Sequence, residues 1–134
     1  VVTISGTNSY TGTTSITNGT LSINSIGDSG TDTAIGNSSA AIDVGAGTLQ
    51  YTGSGNSSAR AIVLTASGGT IDASGTGTLN LTGTANTTNS WTVQQGTFNI
   101  SGAGQLTATT GNFIVQNNGL LTVDDTGTAT TSPP

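Results

Sequence analysis

The sequence predicts an all-β fold, a parallel β-helix (β-solenoid) of roughly six coils. A phrase of glycine, threonine, leucine, a polar residue and an apolar residue recurs at Gly19–Ile23, Gly47–Tyr51 and Gly77–Leu81. In each copy the apolar residues lie two apart, which is the period of a strand with one buried face. No segment has the i, i+3, i+4, i+7 spacing of an amphipathic helix. Many short strands in a repeating pattern indicate a stacked architecture rather than a mixed globule.

Each predicted strand is a short stretch in which two apolar side chains share a face. Turn dipeptides such as Asn18-Gly19 and Gly68-Gly69 separate the strands, because glycine supplies the backbone conformations that corners need. In chain order the apolar pairs are Val2/Ile4, Leu21/Ile23, Ile42/Val44, Leu49/Tyr51, Ile62/Leu64, Ile71/Ala73, Leu79/Leu81, Trp91/Val93, Phe98/Ile100, Leu106/Ala108, Phe113/Val115 and Leu121/Val123.

The intervals between strands favour a solenoid over a series of hairpins. They are 28 positions from Leu21 to Leu49, 22 from Leu49 to Ile71, 19 from Leu79 to Phe98 and 23 from Phe98 to Leu121. Such intervals match the circumference of one coil, and coils stacked about 4.8 Å apart would give a rod about 30 Å long. An antiparallel β-sandwich is the alternative, because strands that recur every 8–12 residues also permit it.

The composition excludes several classes of function. Lys and Arg total 1, Asp and Glu total 6, His and Cys are absent, and 5% of the residues are charged. A single cation cannot neutralise a nucleic-acid backbone, so no nucleic-acid partner is predicted. No apolar run approaches the roughly 20 residues of a membrane helix, so no membrane insertion is predicted. The sequence has no Cys or His for a nucleophile–base pair, no metal-binding cluster and no phosphate-binding loop, so we predict no catalytic residues, no cofactor and no enzyme.

Residues 2–23 read VTISGTNSYTGTTSITNGTLSI. This stretch resembles the autotransporter-associated β-strand repeat, whose usual form is an apolar strand, Ser-Gly, Asn-Thr-Tyr-Thr-Gly-Gly-Thr-Thr, a second apolar strand and Gly-Thr-Leu. Ser9 stands where threonine is usual, and Thr13 stands where the second glycine is usual. Residues 47–81 are also similar to such passengers, and the resemblance fades after Gly111. It implies a right-handed parallel β-helix, export to the bacterial surface and adhesive or spacing roles, with no catalytic residues.

The acidic residues and Arg60 are the candidate site residues. Asp28 and Asp32 are weak candidates for calcium ligands, because two carboxylates fall short of the six to eight oxygens that calcium takes; a polar turn is the alternative. Asp124 and Asp125 are adjacent, so on a strand they would point to opposite faces and could not converge on one substrate. Arg60 is expected to pair with Asp43 or Asp72 on a neighbouring coil.

The apolar residues in strand phase predict the core. The predicted core positions are Ile4, Leu21, Ile23, Leu49, Ile71, Leu79, Leu81, Phe98, Ile100, Leu121 and Val123. An exposed aromatic row would indicate stacking on sugars, but Phe98 and Phe113 are in phase with apolar partners, which favours packing. Tyr10 is the aromatic residue that we expect in a loop.

These observations predict a non-enzymatic extracellular structural protein, secreted or at the cell surface. We predict a single solenoid domain over residues 1–127 and a flexible Thr/Ser/Pro tail over 128–134. The start at Val1-Val2, without Met or a basic region, is expected of a mature product or a piece of a longer protein. One hypothesis is a surface-exposed passenger or spacer with a surface or carbohydrate ligand. The other is a filament subunit that self-associates end to end, because no cap covers the predicted end coils.

Overall fold

The computed structural model describes residues 1–65, 67–87, 91–101, 105–108, 113–116 and 118–124. All of its regular structure is β. The strands are β1 (Val2–Ile4), β2 (Thr14–Ile16), β3 (Thr20–Ile23), β4 (Ile42–Val44), β5 (Thr48–Tyr51), β6 (Asn56–Ser58), β7 (Ile62–Leu64), β8 (Gly69–Ala73), β9 (Leu79–Leu81), β10 (Thr84–Thr87), β11 (Trp91–Ser101), β12 (Gln105–Ala108), β13 (Phe113–Val115) and β14 (Gly119–Asp124).

The strands stack into a parallel β-solenoid. One sheet follows the order β2–β4–β7–β10–β12, and the other follows β1–β3–β5–β8–β11–β9–β6, with β13 and β14 also paired to β11. The long strand β11 turns a corner, because its first residues pair with β8 and its later residues pair with β9. From β6 onward the backbone therefore follows three rows of strands in each lap, that is, in each turn of the solenoid, and β11 joins two of these rows into one sheet. Every strand pair in the described ranges is parallel, so the β-sandwich alternative is wrong.

The register confirms the intervals that the sequence predicts. Leu21 pairs with Leu49, and Leu49 pairs with Ile71. Further along, Leu79 pairs with Phe98, and Phe98 pairs with Leu121. Identical positions of the recurring phrase therefore stack in adjacent laps, and their side chains form columns that run through the interior.

The solenoid has about four turns, fewer than the six predicted. Residues 24–41 connect β3 to β4 outside both sheets, so the second lap, which runs from Leu21 to Leu49, is longer than the others. The backbone of β14 ends at Asp124, and the predicted tail over 128–134, like Asp125, lies outside the described residues. Because it has fewer turns, the rod is shorter than predicted.

The core is a narrow set of inward-facing side chains. Among the predicted core positions, Leu21, Ile23, Leu49, Ile71, Leu79, Leu81, Phe98 and Ile100 are buried. Ile4 and Leu121 are partly buried and pack against them, and the side chain of Val123 lies outside the described residues. Further buried apolar side chains are Ile16, Ile26, Ala34, Ile35, Ile42, Val44, Tyr51, Ile62, Leu64, Ala73 and Val93.

Three strands lack the apolar alternation that marks the rest. β6 is Asn-Ser-Ser, yet Ser58 faces the interior and is fully buried. Its hydroxyl donates a 2.8 Å hydrogen bond to the Gly27 carbonyl, which removes the cost of burying it. β2 and β10 are likewise rich in polar residues. They belong to the sheet because β2 pairs with β4 and β10 pairs with β12. None of the described residues forms a helix of the length and hydrophobicity that crossing a bilayer takes.

Candidate functional site

A column of threonines follows the outer surface of one face. Thr20 pairs with Thr48, Thr48 pairs with Thr70, and Thr70 pairs with Thr92. The residue that follows each of these threonines is a core residue. Because successive residues of a strand point to opposite faces, the threonine side chains point outward. We call this set the threonine column; its members are half-buried and stand about 4.8 Å apart along the axis. It presents uncharged hydroxyl and methyl groups at regular intervals.

A second column, of amides and a hydroxyl, lies on the neighbouring face. It consists of Ser57, Asn80 and Asn99, and we call it the asparagine column. The Asn80 amide donates to the Ser57 hydroxyl at 3.3 Å, and the Asn99 amide donates to Asn80 Oδ1 at 3.0 Å. Hydrogen bonds between laps order these side chains, much as stacked amides do in cross-β structures. Asn99 Oδ1 itself is buried without a hydrogen-bond partner in the described part of the chain.

A single carboxylate, that of Asp72, lies beside the threonine column on the same face. Asp72 accepts a 2.9 Å hydrogen bond from the Gln50 amide through Oδ2 and a 3.1 Å bond from the Ser74 backbone N–H through Oδ1. Asp72 is largely buried, and each of its two carboxylate oxygens accepts one of these hydrogen bonds. Its carboxylate links two laps instead of being available to an external group.

Residues 24–41, which we call the docked segment, pack against the first laps without joining a sheet. Ile26, Ala34 and Ile35 bury their side chains in the core. The Asn8 backbone N–H donates to the Thr33 carbonyl at 2.9 Å, and the Asn8 amide donates to the Ala34 carbonyl at 2.9 Å. The segment is thus an ordered part of the fold, held by apolar burial and hydrogen bonds.

Arg60 fastens the docked segment to the third lap. It is 5% exposed, and its guanidinium donates to the Ile35 carbonyl and to the Ala40 carbonyl, each at 3.1 Å. The expected pairing with Asp43 or Asp72 is wrong, because these carbonyls take the two hydrogen bonds and Asp72 is engaged by Gln50 and Ser74. Loss of hydration lowers the pKa of the Arg60 guanidinium, and Tyr10 opposes the shift to a smaller extent.

A shallow depression of about 450 Å³ lies where the docked segment meets Arg60. Its wall consists of Asp28, Ser29, Ser39, Ala41, Ala59, Arg60 and Ala61. Asp28 Oδ1 accepts a 2.6 Å hydrogen bond from the Ala59 backbone N–H, so this carboxylate also holds the segment in place. The depression brings one buried cation and one engaged carboxylate together.

The calcium candidates take part in local hydrogen bonds. Asp28 caps the Ala59 N–H, and Asp32 Oδ1 accepts a 2.6 Å bond from the Asn37 amide. Within the described ranges, no three His, Cys, Asp or Glu side chains lie close enough together to hold a metal ion. Asp124 ends β14, and its neighbour Asp125 lies outside the described residues.

The aromatic residues do not form an exposed row in the described part of the chain. Tyr51 and Phe98 are fully buried, while Tyr10 is 38% exposed in a loop. Burial raises the pKa of the Tyr51 phenol, whose hydroxyl donates to Asn56 Oδ1 and accepts from the Gly55 N–H, both at 2.9 Å. The side chains of Trp91 and Phe113 lie outside the described residues.

The threonine column and the docking role of Arg60 were not predicted from the sequence. The column had a readable signal, because Thr20 and Thr48 occupy the same position of the recurring phrase as Thr70 does in its Gly69-Thr70 variant. Copies of a repeat stack across laps, so counting positions could have aligned Thr20, Thr48 and Thr70. Arg60 had no such signal, because its partners are backbone carbonyls that lie 25 and 20 positions away.

Part of the chain is similar to a known adhesin. Over 81 residues, 58% of its length, the chain is 43% identical to the adhesin BmaC autotransporter of Brucella suis biovar 1 (strain 1330). The chain spans 2% of the length of that protein. No family model and no solved structure matches the chain. The similarity and the solenoid fold together fit an autotransporter passenger repeat.

Proposed function

We propose that this chain is a non-enzymatic segment of a surface-exposed passenger, which extends outward from a cell and contributes an adhesive face. The carrying observation is the similarity to an autotransporter adhesin in a chain that folds as a parallel β-solenoid. A stack of laps makes a stiff spacer, because each lap is bonded to the next along two continuous sheets. The charge of the chain, −5 with 5% of residues charged, leaves its surface mostly neutral and polar.

The threonine column is the part of the surface that we propose makes contact. Its hydroxyls are exposed in part and evenly spaced, and its methyl groups add apolar area between them. A neutral polysaccharide presents hydroxyl groups and apolar ring faces, so it complements such a column without ion pairs. Binding of this kind would depend little on salt, in contrast to binding through charged groups.

The test is retention on coated surfaces. The purified chain is passed over cellulose, chitin, hyaluronan and a protein-coated surface, and we expect retention on a neutral polysaccharide that high salt does not abolish. The double variant Thr48→Val, Thr70→Val keeps the β-branched shape and removes two hydroxyls, and retention should fall by about tenfold or more. Ser15→Ala changes an exposed outward position of the other sheet and serves as the matched control.

Three results would contradict the proposal. A folded chain that no surface retains would remove the adhesive role, and equal retention of the double variant would remove the threonine column. Release of reducing ends from any of the polysaccharides would show an enzyme. The end-to-end self-association expected from the sequence stays a prediction; long uniform fibres in electron micrographs of the same sample would support a filament subunit instead of a spacer.

A further inference from the structure

We propose that Asn18 is a site of spontaneous deamidation in the folded protein, and that the fold protects Asn118 from the same reaction. Both residues precede a glycine, and Asn18-Gly19 and Asn118-Gly119 are the two Asn-Gly dipeptides of the sequence. This inference does not depend on the adhesive role. It assigns a modification site to one corner of the solenoid, because the N–H groups of the two glycines donate to different acceptors.

The reaction proceeds without an enzyme and consumes water. The Gly19 backbone nitrogen loses its proton and forms a bond to Asn18 Cγ, while the bond from Cγ to the side-chain nitrogen breaks and ammonia leaves. The product is a five-membered succinimide. Water then opens this ring at one of its two carbonyls, which yields either aspartate or isoaspartate. No electron transfer takes place, and the neutral amide becomes a carboxylate.

The corner at Asn18 places the reacting groups together. The Gly19 N–H donates a 2.7 Å hydrogen bond to Asn18 Oδ1, and both residues are exposed. Because a C=O bond is about 1.23 Å long, Asn18 Cγ lies within about 3.9 Å of the attacking nitrogen. Gly19 has φ +71°, a conformation that glycine adopts freely, and no atom lies within 4 Å of the position that a Cβ would take there. The attacking nitrogen and its target carbon are thus neighbours at an exposed corner, and such proximity favours ring closure.

The second dipeptide is held differently. The Gly119 N–H donates to the Gln116 carbonyl at 2.9 Å, so a turn engages the nitrogen that would have to attack. Gly119 also begins β14 and pairs with Gly96 of the lap below. Attack on Asn118 would therefore require breaking the turn and the start of a strand. The two dipeptides are chemically identical, but their glycine N–H groups have different hydrogen-bond acceptors in the fold. We therefore expect them to deamidate at different rates.

Deamidation at Asn18 would act on the first lap. The Gly19 carbonyl accepts a 2.8 Å hydrogen bond from the Thr48 N–H, directly before the threonine column begins with the Thr20–Thr48 pair. Isoaspartate adds a carbon to the main chain at this corner, which shifts the carbonyl against its partner. It also adds a negative charge to a chain whose net charge is already −5. We expect hydrogen exchange at Thr48 to increase in the modified protein.

The experiment follows both peptides in one sample. The folded chain is incubated in mildly alkaline buffer at physiological temperature, and peptide mapping by mass spectrometry measures conversion of each asparagine. We expect conversion at Asn18 to exceed that at Asn118 by about tenfold or more, since pre-positioning is the difference between them. The same incubation in denaturant should bring the two rates close together. Asn18→Gln should abolish the deamidated product at position 18, because a glutamine side chain closes a ring more slowly than asparagine does.

Two results would overturn the proposal. The first is equal or faster conversion of Asn118 in the folded chain, which would mean that the N–H partners do not govern the reaction. The second is the same tenfold preference for Asn18 in denaturant, which would attribute the difference to neighbouring sequence and not to the fold. The Gln116 turn is tested separately by Gln116→Ala, which leaves its backbone acceptor in place and should leave Asn118 protected.

Discussion

Replacing Arg60 by methionine is expected to lower the free energy of unfolding by about 3 kcal/mol, because hydrogen bonds from a charged donor contribute more than neutral ones. Methionine fills a similar volume but donates nothing to the carbonyls of Ile35 and Ala40. Two backbone acceptors would then lose their partners at a buried contact. Urea unfolding followed by circular dichroism measures the loss.

The local effect of Arg60→Met should exceed the global one. The docked segment is attached through a few side chains, among them Asn8, Asp28 and Arg60, whereas the sheets are bonded lap to lap. Hydrogen exchange should therefore rise over residues 33–40 before it rises in β5 or β8. Arg60→Lys keeps a positive charge and should recover part of the stability, because one ammonium cannot reach both carbonyls with the geometry of a guanidinium. Asp43→Asn, on the outer surface of β4, should leave exchange in the segment unchanged.

A variant in which the docked segment keeps its protection would show that Arg60 is not its main attachment. Equal stability of Arg60→Met and the unmodified chain would show that water replaces the guanidinium at both carbonyls. Both outcomes are measurable on the folded protein, because the apolar residues Ile26 and Ile35 remain to hold the segment near the core.

The sequence predicted the fold because its main signal is local and repeated. Apolar residues two apart mark a strand, and the interval between copies gives the partner of each strand. That is why the pairing of Leu49 with both Leu21 and Ile71 follows from counting positions. In a solenoid each lap contacts its neighbours, so a repeat length contains most of the topology.

The number of turns was not predictable in the same way. A constant lap length assumes that every residue between two copies lies on the solenoid. Residues 24–41 leave the sheets and return, and no composition change marks them, because Ile26 and Ile35 resemble core residues of any strand. The docked segment is fixed by distant contacts: Asn8 from one side and Arg60 from the other. Contacts of that kind come from the assembled structure and not from a local pattern.

Of the candidate site, the sequence predicted only the composition of the surface. The near absence of charge indicated a neutral, polar surface, but the order within it comes from pairing between laps. Asn80 and Asn99 lie 19 positions apart and belong to different copies of the phrase, yet they are hydrogen-bonded neighbours on one face. Once the register is known, the threonine and asparagine columns both follow from it.

Gly96 is the position at which we expect one added methyl group to do the most damage. It lies in β11 where the register against β8 shifts, at the corner between two faces of the solenoid. Its φ is +76°, which disfavours any residue with a Cβ by about 1–2 kcal/mol. A Cβ at this position would also run into the carbonyl oxygen of Ala73 in the lap below. The corner therefore needs glycine for its backbone angle and for the close approach of two laps.

Gly96→Ala should lower the free energy of unfolding by about 3 kcal/mol or more, since overpacking adds about 1–3 kcal/mol to the backbone strain. Two control variants separate the two causes. Gly6→Ala has the same kind of positive φ, +89°, but open space around it, so it should cost about 1 kcal/mol. Gly12→Ala has open space and no positive φ, so it should change stability by less than about 0.5 kcal/mol. Equal losses for Gly96→Ala and Gly6→Ala in urea unfolding would mean that the laps separate easily at this corner, and the close approach of Ala73 would then not be a reason for glycine at this position.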